Sequence, residues 1–186
     1  MEKTLYVRGL VFTDGTGQFP DSVERAFDNM LALHGRDDWE PGASKRVEPT
    51  EENLKAIFEE KEQAEREAER LPGILDLPSA RLPGELKASL AAMLELYALY
   101  ARGYRRCAEA CFRAKKAMAS HGAGDAEAAG RAADRLAAYR EELAGLMRGT
   151  RAPHFVHRML DTGPLDRLAA DIREKLSAAQ TAPAAA

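Results

Sequence analysis

Ten residues in the middle of the chain succeed one another at steps of four and three without a break: Leu86, Leu90, Met93, Tyr97, Tyr100, Tyr104, Cys107, Cys111, Ala114 and Met118. That repeat belongs to a helix that packs lengthwise on its neighbours. It predicts one helix from Pro83, a residue suited to the first helical position, to Met118. Such a helix has about 36 residues and is roughly 54 Å long at 1.5 Å per residue. Leu94 and Phe112 widen the stripe, Gly103 is its weak point, and His121-Gly122-Ala123-Gly124 ends it.

Amphipathic stretches flank this spine. One starts at Thr50, a good N-cap, with Glu51 and Glu52 complementing the positive helix end. It presents Leu54, Ile57, Phe58, Lys61, Ala64, Ala68 and Leu71 on one side and stops at Pro72-Gly73. Ile74 to Leu82 reads as a proline-marked connection. After the spine, Asp125 is placed to cap a helix reaching Arg148, with Ala129, Ala132, Leu136, Tyr139, Leu143, Leu146 and Met147 on its face. A short helical piece spans Pro153 to Leu160. A last helix from Pro164 shows Leu165, Leu168, Ile172 and Leu176, and the alanine-rich residues 177–186 read as a disordered tail.

The opening of the chain has a different pattern. Leu5-Tyr6-Val7-Arg8-Gly9-Leu10-Val11-Phe12 reads as a β-strand. The turn Asp14-Gly15-Thr16-Gly17 follows, then a helix from Ser22 to His34 stopped by Gly35. No second strand is legible. An unpaired strand leaves rows of N–H and C=O groups unsatisfied. The strand is therefore expected to pair with another chain, a swapped copy, or the rest of a larger protein. The sequence thus predicts a mainly α fold: an antiparallel bundle of about five helices over residues 49–176, preceded by a strand–loop–helix unit and a polar loop over 1–48.

Composition narrows the function classes. A net charge of −3 opposes general nucleic-acid binding, which needs a basic excess. No apolar run approaches the ~20 residues of a membrane span. Met1-Glu2-Lys3-Thr4 lacks the apolar core of a secretory leader, and two cysteines build no disulfide framework, so a cytoplasmic setting is expected.

Four groups of residues bear on chemistry. Asp14, at the end of the expected strand, is placed to hold a substrate hydroxyl, a metal or a proton; Asp-Gly is also ordinary turn chemistry. Cys107 and Cys111, one helical turn apart, match metal-ligand spacing with Glu109 nearby, yet they sit on the apolar stripe, where free cysteine acts as a small apolar side chain. His154 and His157 share a face at i, i+3. With the cysteines they make up the one conceivable metal site, set against packed and solvated roles. Tyr97, Tyr100 and Tyr104 form an aromatic ladder that reads as core or as a ligand groove. No cofactor is implied.

Arg8-Gly9-Leu10-Val11-Phe12-Thr13-Asp14-Gly15, followed by Phe19-Pro20-Asp21 and a helix, resembles the last strand and helix of a (β/α)₈ barrel. It is similar to the closing segment of bacterial glycoside hydrolases of the hexosaminidase and glucuronidase type, in which a helical region follows the barrel. The likeness covers about the first 35 residues. It implies a non-catalytic C-terminal module of a carbohydrate-active enzyme that packs on the barrel and self-associates, with Asp14 at most touching carbohydrate. Hydrolysis needs two positioned carboxylates, which in such enzymes lie on earlier strands, so this chain would not hydrolyse glycosides unaided. The competing expectation is a stand-alone helical interaction protein forming a homodimer.

Overall fold

The structure, a computed structural model, describes residues 19–29, 49–77, 81–149 and 161–181. Its regular elements are helical, and no strand occurs among the described residues. In chain order they are α1 (Val23–Asn29), α2 (Glu51–Arg70), a 3₁₀ turn (Leu71–Asp76), α3 (Gly84–Ser120), α4 (Ala123–Gly149) and α5 (Gly163–Thr181). The expected strand at 5–12, Asp14 and the helical piece at 153–160 lie outside the described residues.

Helix ends follow local chemistry, with some corrections to the expected bounds. Thr50 caps α2 as its side chain predicts: Oγ1 accepts from the Asn53 N–H at 3.2 Å. The α-helical ladder stops at Arg70, but Pro72-Gly73 does not open an extended connection. Pro72 has no N–H to continue the ladder, and the chain tightens into the 3₁₀ turn. Pro83 sits one residue outside α3, its carbonyl accepting from Lys87 N–H at 2.9 Å. At the far end His121 takes the left-handed conformation (φ 51°) and its N–H reaches Ala117 O. Asp125 does not cap α4. The helix already starts at Ala123, with Gly122 O accepting from Ala126 N–H, and the Asp125 carboxylate instead accepts from Ser120 Oγ across the turn. α5 runs on to Thr181, into the stretch expected as tail. Alanines there favour helix, and Thr181 Oγ1 donates to Ser177 O and Ala178 O in the last turn.

α3 touches every other described helix and forms the axis of the core. Most of each expected face is buried: Leu54, Ile57, Ala64 and Ala68 on α2; Ala129, Ala132, Leu136, Tyr139 and Leu143 on α4; Leu165, Leu168, Ile172 and Leu176 on α5, whereas Phe58, Leu71 and Leu146 are half-buried. The α3 stripe is covered only in part. Tyr100, Tyr104, Cys107, Cys111 and Ala114 are buried, whereas Leu86 and Met93 remain 46% and 37% exposed. α1 is fastened from outside itself: the Val23 N–H, an orphan donor of the first turn, reaches Asp171 Oδ2 of α5 at 2.9 Å. Phe19 leads into α1 and sits among Tyr100, Tyr104 and Tyr139, with ring centroids 5.0, 5.6 and 6.0 Å away.

Gly103 is the reason those rings meet. A methyl carbon built there would lie 2.5 Å from Tyr139 Cζ and 2.7 Å from Phe19 Cε1, and nearer still to the phenol oxygen. A glycine that reads as a flaw in the helix is a notch that admits two aromatic side chains.

Candidate functional site

α3 has two faces, and the second faces an open groove. Opposite the aromatic stripe it presents Ala88, Ala91, Ala92, Ala98 and Leu99, which floor a groove of about 1060 Å³. Glu69 at the end of α2 and Pro72 in the 3₁₀ turn line one side. Glu141, Glu142, Gly145 and Leu146 of α4 line the other. The alanines on the floor are too small to fill the space between the two walls.

Arg102 closes one end of the groove. Its guanidinium reaches Glu65 Oε1 at 2.9 Å and Glu69 Oε1 at 3.1 Å on α2, and Glu142 Oε1 at 2.8 Å on α4. One side chain of α3 thus ties both flanking helices. Beneath it Glu65 is buried and also accepts from Arg105. Burial works to raise the Glu65 carboxyl, but hydrogen bonds from Arg105 and Arg102 outweigh it and hold it below its ordinary value. The buried carboxylate is stable because it is fully paired.

Of the residues singled out from the sequence, the tyrosines come together and the rest do not form a reactive group. The Tyr100 and Tyr104 hydroxyls lie 3.1 Å apart inside the core, and Tyr97 is half-buried beside it. They belong to the packed stripe and do not line the groove. Cys107 and Cys111 are wholly buried, and burial pushes both thiols well above their ordinary range, which removes the reactive thiolate. Glu109 does not face them as a ligand; it pairs with Arg106 and Arg135. Only this cysteine half of the conceivable metal site is described, since His154 and His157, like Asp14, lie outside the described residues. Among the described residues no three His, Cys, Asp or Glu side chains converge as metal ligands would.

Lys61 is buried on α2 with its ammonium 6.0 Å from the Tyr104 ring centroid, and desolvation lowers its pKa against the opposing pull of Glu60. Its stem packs as part of the apolar face, as its place on that face in the sequence implies. The Tyr139 hydroxyl, pressed against Gly103, finds no hydrogen-bond partner among the described residues.

Sequence reasoning missed the groove and its Arg102 strap. A signal for the floor was present in Ala88, Ala91, Ala92 and Ala98, which recur at helical spacing away from the aromatic stripe. Nothing local distinguishes Arg102 from the chain's other arginines, because its partners come from helices some 33 to 40 residues away in sequence. No helix among the described residues is long and apolar enough to cross a membrane. No known protein family, curated protein or solved structure was found to match this chain.

Proposed function

We propose that the chain is a non-catalytic helical module that docks another polypeptide in the groove along α3. One observation carries this: the groove is walled by α4 on one side and by the junction of α2 with the 3₁₀ turn on the other, floored mainly by alanines, and tied shut at one end by a structural ion-pair strap. A floor of small apolar side chains lets a helix approach closely, which is the geometry of helix-in-groove recognition. The buried residues of reactive type argue the same way. The cysteines and tyrosines are packed, and Glu65 is neutralised by two arginines.

In this reading α2 and α4 run antiparallel to α3. The ion pairs support it: Glu51 at the start of α2 meets Arg113 and Lys116 late in α3, whereas Glu65 and Glu69 meet Arg102. On the other side Glu109 pairs with Arg135 and Arg102 with Glu142. Buried free thiols suit a reducing, cytoplasmic setting.

The test is a panel of labelled amphipathic helical peptides of acidic, neutral and basic flank, titrated into the chain and into Ala91→Trp by fluorescence anisotropy. Circular dichroism checks that both are folded. At least one peptide class is expected to bind the parent chain tenfold or more tighter than the groove-filled variant. Equal binding of every class to both, or turnover of a chromogenic glycoside by the purified chain, would overturn the assignment.

A further inference from the structure

Building on the docking role just given, we propose that the groove's occupant is a basic amphipathic helix belonging to a polypeptide other than this chain. The charge of the lining selects it. Glu69, Glu95, Glu141 and Glu142 line the groove against a single guanidinium, Arg102. These carboxylates are not equally neutralised. Glu69 and Glu142 are already held by Arg102, and Glu141 meets Arg140. Glu95 has no ion pair or hydrogen bond among the described residues, although it stands on the same helix face as the floor alanines.

An incoming helix with Lys or Arg flanking an apolar ridge meets two complementary features. Its ridge, at i, i+3, i+4 and i+7, lies on Ala88, Ala91 and Ala92. A basic residue next to the ridge meets Glu95 on the floor, and a basic flank meets Glu141 on the α4 wall. An acidic helix or a phosphate backbone meets the same carboxylates and is repelled. A second copy docked symmetrically would bring this acidic lining against itself, because a two-fold interface apposes the same patch on both partners. The charge pattern therefore disfavours self-association through this face.

The probe is a labelled peptide of about four helical turns with a leucine face and lysine flanks, compared with versions carrying glutamate or glutamine flanks. Each is titrated into the full chain at low and at physiological salt. The lysine peptide is expected to bind best. Glu95→Lys with Glu141→Lys should weaken it at least tenfold and flatten its salt dependence. Amide chemical shifts, read on the unaltered chain, should move at Ala88–Leu99 and Glu141–Leu146, which keeps the test independent of how any variant folds.

If the glutamine or glutamate peptide binds the groove as tightly as the lysine peptide, the basic partner is wrong although docking stands. If the lysine peptide binds the charge-reversed variant equally well, or shifts amides elsewhere, its attraction is unspecific and the inference falls. A doubled mass of the free chain that Ala91→Trp returns to a single one would name a second copy as the occupant and overturn it too.

Discussion

Replacing Gly103 by alanine separates helix propensity from packing, because the two effects have opposite signs there. In a helix interior, alanine is favoured over glycine by about 1 kcal/mol. Gly130, within α4, has open space where a Cβ would go, so Gly130→Ala should gain about that amount. At Gly103 the added carbon would press on Tyr139 and Phe19, buried residues 2% and 3% exposed. Overpacking of this kind costs about 1–3 kcal/mol. The net change at Gly103 therefore runs from about zero to a loss of about 2 kcal/mol. For a chain of this size 1 kcal/mol moves the melting midpoint by about 2–4 °C. Urea titration followed by circular dichroism should show the midpoint falling or unchanged for Gly103→Ala and rising for Gly130→Ala, with equal slopes. Tyr139→Phe removes the hydroxyl nearest the new carbon, and that hydroxyl has no hydrogen-bond partner among the described residues. Alone it should change stability by less than about 0.5 kcal/mol, and in its background Gly103→Ala should cost less than in the parent chain. If Gly103→Ala stabilises as much as Gly130→Ala, the two rings do not occupy this notch and the account of the core is wrong.

Arg102→Ala should cost about 1–3 kcal/mol, since it leaves the buried Glu65 with one partner fewer, whereas Arg131→Ala, which removes an exposed pair with Glu127, should stay within about 0.5 kcal/mol; chemical denaturation of both variants reads the difference. Glu65 has a folded-state pKa below its unfolded one, so its contribution is present above the unfolded carboxylate value and is lost as pH falls through the lower folded value. Stability measured from about pH 5 to pH 3 should therefore decline more steeply in the parent chain than in Glu65→Gln, and parallel profiles would contradict this. A thiol-specific chromogenic reagent should leave Cys107 and Cys111 untouched in the folded protein and label both in denaturant; rapid labelling without denaturant would show that this part of α3 is not buried.

Much of the helical architecture was legible because it rests on rules that act within one helix. Thr50 announces a cap, His121-Gly122 a stop, and the apolar residues of α2, α4 and α5 point to one side at helical spacing. The same local rules erred where a terminus is decided by more than its own residue. Asp125 is a good cap by type, but it bonds Ser120 across the turn and the helix starts ahead of it. The α3 stripe is equally regular at Leu86 and at Tyr104, yet only Tyr104 is fully buried. Periodicity marks the side of a helix that is apolar and carries no information on whether a neighbour covers it.

The site was less legible for the same reason. Alanines away from the stripe resemble filler until α2 and α4 stand on either side and leave the space between them open. Arg102 is one of many arginines until three carboxylates from two distant segments converge on it. Gly103 looked like a defect because helix propensity concerns the backbone alone, while its use depends on Phe19 and Tyr139 arriving from elsewhere. The sequence by itself determined where the described helices lie and which side of each is apolar, since hydrogen bonding and side-chain spacing within a helix are short-range. Only the tertiary structure decided which sides meet, where a notch is needed and where a groove stays open, because those depend on the shapes and charges of residues far apart along the chain.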